Sequence, residues 1–303
     1  MHCFLFYGTM MVSSNTGDVY VMKKIINQTY DEERALYASD GVICEDCTFA
    51  GPADGESAFK ESKNLIVRRC DFKLRYPFWH NGGVCITRTE LTPLCRAALW
   101  YSENIEIEKS KLHGIKALRE CSNISMWDCS VVSAEFGWFV HGIDMERCSV
   151  TGEYFMLRSD KLNFNNVSLK GKYSFQYIED SVFENCNFDT KDAFWHAKNV
   201  TVKNSVVKGE YLAWYSDGLT LIDCKIIGTQ PLCYCKGLKL INCTTEGCDL
   251  SFEYSEVDAT VKGNIVSVKN PLSGKIVADS IGEIVHEGSV KDCNCEIVVA
   301  STL

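Results

Sequence analysis

The residues best suited to chemistry recur at nearly constant spacing along the chain. Short motifs such as PFWHN, AFWHA, LAWYS and PLCYC place an imidazole, phenol, indole or thiol among apolar residues. The column that these motifs define contains the candidate ligand-binding residues Glu120, Arg158, Tyr177, His196, Tyr215, Tyr234 and Glu253. Aromatic rings of this kind stack on sugar rings or a peptide, while Arg and Glu hydrogen-bond the ligand.

A second column, one residue earlier in each motif, carries the tryptophans Trp79, Trp100, Trp138, Trp195 and Trp214. Because successive side chains of a strand point to opposite faces, only one of the alternating sets can face inward. We expect the tryptophans in the core and the His/Tyr column outside. An exposed aromatic stripe usually marks a surface that something covers. Self-association is therefore the expected contact, and a carbohydrate or peptide ligand is the alternative.

The carboxylates give weak evidence for catalysis. A glycosidase needs two acidic groups a few ångströms apart, and a Ca²⁺ site needs several carboxylates. The outward acidic residues of the repeat are Glu106, Glu108, Asp144, Glu146 and Glu184. They recur only every second repeat, so we expect a solvated charged face and no assigned catalytic residue.

The cysteines are predicted to be reduced and to pack as small apolar residues. Cys129/Cys148 and Cys224/Cys243 occupy equivalent positions of successive repeats, which predicts a cysteine ladder. Cys44-x-x-Cys47 resembles half a zinc site, but no second pair completes it. Cys233-x-Cys235 and Cys293-x-Cys295 each place two thiols on one strand face. We therefore predict no metal site and no cofactor.

These motifs belong to a nineteen-residue repeat. Its marker column is Cys47, Cys70, Thr89, Ser110, Cys129, Cys148, Val167, Cys186, Ser205, Cys224 and Cys243, with steps of nineteen from Ser110 onward. Apolar residues stand five and three positions before the marker and two after it, as Ile105, Ile107 and Leu112 do around Ser110. Spacing of two places one face of a strand in the core.

Two positions of each repeat hold residues that form corners. Asn or Asp precedes the marker in most repeats, and Asn or Gly stands six positions before it. These residue types adopt positive φ at low cost. The pattern predicts an all-β fold: a single-stranded right-handed parallel β-helix of three strands per coil and about eleven coils.

The ends of the stack need covers, because each coil pairs only with its neighbours. Thr29 and Glu32 have capping-box spacing and predict an N-terminal cap helix. We expect a leader or appended segment at 1–21, the N-terminal cap at 22–40, the β-helix at 41–255 and capping strands at 256–303.

Composition excludes several classes of partner. The net charge is −9 without a basic run, which argues against nucleic acid and anionic membrane surfaces. No apolar run reaches the roughly 18 residues of a membrane span. The chain has 17 cysteines, an odd number, and is long enough to fold without disulfides, so we expect a reducing cytoplasm.

The chain resembles a bacterial family of uncharacterised proteins with a pectin-lyase-like right-handed β-helix fold. The resemblance rests on GESAFKES, RYPFWH, RAALWY, KDAFWH, GEYLAWYS and the segment from FEYSEVDATV to SVKNPLSGKI, and it covers roughly residues 23–300. It implies the fold and no activity.

Two functional hypotheses follow. The first is a non-enzymatic cytoplasmic β-solenoid that serves as a binding or assembly surface. The second is a carbohydrate-active enzyme of the pectin-lyase-like kind, either a polysaccharide lyase or a glycoside hydrolase. The fold alone supports the second only by analogy.

Overall fold

A computed structural model of the chain describes residues 11–13, 19–51 and 56–300. Within these residues the fold is an all-β parallel solenoid of about 14 turns that contains no helix. The first sheet consists of Lys23–Ile26, Asp40–Glu45, Lys63–Arg68, Gly82–Thr87, Glu103–Glu108, Ser122–Trp127, His141–Glu146, Asp160–Asn165, Glu179–Glu184, Lys198–Lys203 and Thr220–Ile222. The second sheet consists of Thr29–Tyr30, Thr48–Phe49, Asp71–Phe72, Glu90–Leu91, Lys111–Leu112, Ser130–Val132, Ser149–Glu153, Ser168–Lys172, Asn187–Lys191, Val206–Lys208 and Lys225–Ile227.

Both sheets stack equivalent residues of successive coils in parallel. Val84, for example, pairs with Leu65 in one neighbouring coil and with Ile105 in the other. Ile105 and Ile107 are buried, whereas Glu106 between them is half-buried on the outside. The alternation predicted from the sequence thus sets which side chains form the core.

The corner residues adopt the predicted backbone. Asn123 and Asp128, at the two predicted corners of one coil, have φ of 54° and 55°. Basic residues fill the same position in other coils, as Arg147 does with φ of 50°. The corners predicted from Asn, Asp and Gly are confirmed.

The third side of the coil differs from its prediction as a continuous strand. Only Phe78–Trp79, Leu99–Trp100 and Leu118–Arg119 form a parallel sheet there. In later coils this side is a series of turns in which every second residue has positive φ, as in Tyr173, Phe175 and Tyr177 at 58°, 60° and 57°. Among the described coils, the prediction of three strands is correct only for the three that contribute to this sheet, since the first two coils also have turns on this side.

The predicted N-terminal cap helix is wrong. Lys23–Ile26 and Thr29–Tyr30 pair in parallel with the next coil, and Tyr30 stacks on Phe49 with ring centroids 5.2 Å apart. Residues 33–38 form turns. The segment is therefore a further coil, in which Gln28 stands nineteen residues before Cys47. The backbone N–H of Gln28 donates to the Cys47 Sγ at 3.4 Å.

The C-terminal segment also continues the stack, which is why about eleven coils were too few. Leu238–Glu246, Glu256–Lys269 and Ser273–Val285 are long parallel strands, and Glu296–Val299 pairs in parallel with the last of them. The region predicted as capping strands therefore continues the parallel coils of the solenoid, with longer strands.

Inside the stack, the marker column closes the corner between the first and second sheets. Ser205 Oγ donates to the Lys203 carbonyl at 2.5 Å and accepts the Cys186 amide at 2.9 Å. Cys129 and Cys148 likewise direct their thiols at the carbonyls two residues earlier. A small side chain with a hydrogen-bonding atom satisfies buried backbone groups that the corner leaves without a sheet partner.

The segment 1–21 predicted as a leader lies mostly outside the described residues. Met11–Ser13 and Val19–Val21 form a two-stranded antiparallel pair. Among the residues that the structure describes, no helix has the length and hydropathy to cross a membrane.

Candidate binding face

The outward side chains of the third side form two adjacent columns, which we call the third face. The outer column, here the ladder, comprises His80, Tyr101, Glu120, Phe139, Arg158, Tyr177, His196, Tyr215, Tyr234 and Tyr254. The tryptophan column comprises Trp79, Trp100, Arg119, Trp138, Leu157, Gln176, Trp195, Trp214, Cys233 and Glu253, of which all but the buried Cys233 are half-buried. The amide of each ladder residue up to Tyr234 donates to the carbonyl of the tryptophan-column residue in the next coil, as His196 does to Trp214 at 2.9 Å. The backbone therefore fixes the alignment of both columns.

The expectation that the tryptophans form the core is wrong. Trp195 and Trp214 are half-buried outside, whereas Phe194, one residue earlier, is buried in the core. The indole of Trp195 donates to the Tyr211 carbonyl at 2.7 Å, and that of Trp214 donates to the Gln230 carbonyl at 2.8 Å. The left-handed ladder residue breaks the alternation, so two successive side chains point outward.

The C-terminal half of the ladder is a continuous stack of rings. Tyr177 lies on His196 with centroids 4.7 Å apart, His196 on Tyr215 at 5.1 Å, and Tyr215 on Tyr234 at 4.9 Å. The interplanar angles are 8°, 9° and 12°. The Arg158 guanidinium covers the free face of Tyr177 at 4.8 Å. The stack therefore presents ring edges to solvent, with its faces already in contact.

The N-terminal half of the ladder combines a short stack with a charged centre. His80 stacks on Tyr101 at 4.9 Å. Arg119 lies over Trp100 and Trp138 at 5.2 and 5.1 Å. Glu120 accepts hydrogen bonds from the Arg119 guanidinium at 3.2 Å and from the Trp100 indole at 3.3 Å. The carboxylate of Glu120 is thus held by groups of the face itself.

Glu253 does not lie in the ladder column as predicted. The step from Cys235 to Ser255 is twenty residues, one more than the repeat, so Tyr254 continues the ladder and Glu253 falls in the tryptophan column. Glu253 accepts a hydrogen bond from the Tyr234 hydroxyl at 3.2 Å and pairs with Lys269 at 2.9 Å. Burial, together with the nearby Glu253 carboxylate, raises the pKa of Tyr234 to about 12.

The structure brings six of the seven predicted residues into one chain of contacts. Arg158, Tyr177, His196, Tyr215 and Tyr234 are successive ladder members. Glu253 joins them through Tyr234, whereas Glu120 belongs to the separate Arg119 centre. Lys269 was not among the predicted residues, because it lies in a coil beyond the strict nineteen-residue repeats.

Sixteen cysteines among the described residues have free thiols. Cys129 and Cys148 are both buried in the marker column, and so are Cys224 and Cys243. One cluster exceeds the predicted pairs: the sulfurs of Cys44, Cys47 and Cys70 all lie within 4.8 Å of one another. Cys47 and Cys70 share the marker column, a spacing that could have indicated the third thiol.

The fold and this face together define a parallel β-solenoid with an aromatic exterior ladder. The chain belongs to the family described as "Protein of unknown function (DUF3737)", which matches residues 23–298. No curated protein matches the chain in sequence.

Several solved structures are similar in backbone at low sequence identity. A double mutant of the tailspike protein of E. coli bacteriophage HK620 has 10% identity and a TM-score of 0.42, over 81% of this chain and 60% of that one. The mannuronan C-5 epimerase AlgE4 A-module of Azotobacter vinelandii has 12% identity and a TM-score of 0.31, over 92% and 91%. The catalytic domain of a GH87 alpha-1,3-glucanase has 9% identity and a TM-score of 0.29, over 92% and 64%. The function of this chain therefore has to be argued from its own side chains.

Proposed function

We propose that the protein is a non-enzymatic β-solenoid that assembles through its third face, with a second copy of the chain as partner. The observation that carries this proposal is the ladder, a row of ten side chains in register on successive coils, eight of them aromatic. Tyr101, Phe139, Tyr177 and Tyr215 are 42%, 44%, 41% and 48% exposed. Aligned apolar surface of this extent is typical of a face that another molecule covers.

The stacking geometry favours a protein partner over a sugar. A sugar ring packs on a free aromatic face, but the faces of Tyr177, His196, Tyr215 and Tyr234 lie against one another. Their edges offer phenol and imidazole hydrogen-bonding groups together with apolar ring carbons. Tyr and Trp with these mixed properties are enriched where protein surfaces meet.

A second copy fits this face because its coils have the same spacing. In a two-fold antiparallel contact centred between Tyr177 and His196, each ladder coil of one copy faces a ladder coil of the other. Arg158 then faces the Tyr215 ring, and Arg119 faces the coil of Glu253. Cation–π and charge pairing therefore add to the aromatic contact.

The carboxylates of the face mostly have cationic partners, which supports binding over hydrolysis. Glu120 is paired with Arg119, Glu253 with Lys269, and Glu210 with Lys191 at 2.9 Å. A glycosidase acid needs a protonated carboxyl close to a second carboxylate. These three carboxylates are instead engaged by cations of the chain itself.

One residue favours the carbohydrate-active alternative. Asp192 is buried at the edge of the third face, and burial raises the pKa of its carboxyl. The Lys191 ammonium opposes this rise in pKa, and the Glu210 carboxylate of the next coil adds to it. A raised pKa beside a second carboxylate is the arrangement of a general acid. Turnover of a polysaccharide that is lost in Asp192→Asn would establish this alternative and overturn the non-enzymatic proposal.

The assembly proposal is tested by light scattering across a concentration series of the full chain. We expect a mass of twice the 34.1 kDa chain at high concentration. Tyr215→Arg places a second cation opposite Arg158 and should weaken the dimer at least tenfold. The matched control is Asn187→Arg, which adds the same charge on the exposed second sheet.

Two outcomes contradict the assembly proposal. One is a monomer at every concentration, and the other is equal weakening by Tyr215→Arg and Asn187→Arg. We propose a cytoplasmic location, because the described cysteines, including the partly exposed Cys293 and Cys295, form no disulfide. Labelling of these thiols in intact cells with a membrane-permeant reagent tests it, since a disulfide-bonded population would contradict it.

A further inference from the structure

The cluster of Cys44, Cys47 and Cys70 is unlike the other cysteine positions. Cys47 and Cys70 are marker-column neighbours, as Cys129 and Cys148 are. Cys44 adds a third sulfur from a first-sheet position that holds an apolar residue in the neighbouring coils, such as Val67 and Ile86. All three are buried, with exposed fractions of 1%, 1% and 3%, and their sulfurs lie within 4.8 Å of one another.

The donor set consists of three sulfurs inside an apolar core. Thiolates select soft ions such as Cu(I), whereas a structural Zn²⁺ takes four ligands in a tetrahedron. Three sulfurs around one ion at metal–sulfur distances of about 2.3 Å stand about 4 Å apart. The observed separations need only a small contraction to reach this arrangement.

We propose that Cys44, Cys47 and Cys70 form a three-coordinate site for Cu(I). The three thiols converge from two successive coils, so the ion would tie the second coil to the third. The backbone carbonyl of Cys44 also accepts a hydrogen bond from the Cys70 thiol, with 3.5 Å between oxygen and sulfur. The backbone N–H of Gln28 donates to the Cys47 sulfur, a contact that stabilises a thiolate as well as a thiol.

Binding must release the thiol protons. The ion therefore competes with protons, and affinity should fall as the pH is lowered. Lys24, Arg68 and Arg69 lie on the outside of the same corner, where they pair with Glu45 and Asp46.

The site lies close to one end of the solenoid. Ile25 of the preceding coil pairs with Cys44, and only this coil separates the cluster from residue 22. In a stack where each coil contacts its neighbours, an end coil opens at lower free energy than an internal one. Opening of residues 23–38 gives an ion access without unfolding the stack.

The experiment uses the full chain, reduced and free of oxygen, carrying Cys293→Ser and Cys295→Ser to remove the two partly exposed C-terminal thiols. Cu(I) is supplied from a chromophoric Cu(I) chelator. We expect one Cu(I) per chain, a sulfur-to-copper absorption band, and luminescence from an ion shielded from water. Both optical signals should weaken on acidification.

Two variants remove the site while keeping the fold. Cys44→Val copies Val67 of the next coil, and Cys70→Ser copies Ser110 and Ser205 of the marker column. Each should weaken Cu(I) binding at least a hundredfold. The matched control, Cys129→Ser, removes a buried thiol from a two-sulfur position and should leave binding unchanged.

Three results overturn the proposal: no transfer of Cu(I) to the protein, transfer that persists in both Cys44→Val and Cys70→Ser, or loss of transfer in Cys129→Ser. Circular dichroism of each variant separates loss of the site from loss of the fold. Because Cys70→Ser retains the corner hydrogen bonds, a folded protein without the optical signals assigns the effect to the thiolate.

Discussion

Two stacks of aromatic rings run side by side in the same coils, one inside the solenoid and one outside. Phe175 and Phe194 stack in the core with centroids 4.9 Å apart and an interplanar angle of 13°. Two residues further on, Tyr177 and His196 stack at 4.7 Å and 8°. Geometry is nearly the same in both, yet the phenylalanines are fully buried and Tyr177 is 41% exposed.

The two stacks share the same ring geometry and differ in how deeply the rings are buried. In the core, the rings also contact Phe183 and Phe188, so removing one leaves a cavity. On the surface, each ring contacts its ladder neighbours and water. The inner stack is therefore part of the core that stabilises the fold, whereas the outer stack keeps exposed ring edges.

The largest expected effect comes from truncating the inner stack. Phe194→Ala should lower the free energy of unfolding by about 3–5 kcal/mol, because a large buried side chain leaves a cavity that the core cannot fill. Chemical denaturation measures it. His196→Ala, two residues away, should cost less than about 1.5 kcal/mol. Equal costs would contradict the separation drawn between the two stacks.

A smaller effect is expected at the marker column, which is also buried but contributes hydrogen bonds. Ser205→Ala removes the acceptor of the Cys186 amide and should cost about 1–3 kcal/mol. Ser205→Cys is the matched control, because Cys fills this position in other coils and should recover part of the loss. Comparable denaturation curves for Ser205→Ala and the native chain would show that the corner needs no side-chain bond.

The smallest effect concerns the pH dependence of the outer stack. The pKa of Tyr234 is raised to about 12 from an ordinary 10.0, so the folded state retains the phenol proton more strongly than the unfolded state. Its contribution to stability is complete below pH 10 and is lost as the pH rises toward 12. Tyr234→Phe should make denaturation less sensitive to pH in this interval. An unchanged pH profile would show that Tyr234 titrates normally.

Much of the fold could be predicted because the nineteen-residue spacing is nearly strict. The apolar pairs, such as Ile105 and Ile107, and the corners at Asn123 and Asp128 follow directly from residue type. The first coil was predicted as a helix because Thr29 and Glu32 match a capping box. In addition, Gln28 at the marker position differs from the Cys, Ser, Thr and Val residues of the other coils. Spacing was the better guide there, since Gln28 precedes Cys47 by the full repeat.

The position of the third face along each coil could be predicted from the sequence, but not which of its side chains point outward. Alternation assumes extended backbone, whereas His196 and Tyr215 have φ of 55° and 61°. Aromatic residues rarely adopt a left-handed conformation, so residue type did not indicate two outward side chains in succession. The single extra residue before Glu253 also shifted one candidate out of the ladder.

The constant coil length has a consequence for how such a protein can change in evolution. Between Ser110 and Cys243 every coil hydrogen-bonds only to the coil before and the coil after it, and equivalent residues meet at each junction. Duplication or loss of one nineteen-residue unit would join surfaces that already match. Each unit gained or lost would therefore lengthen or shorten the ladder by one side chain.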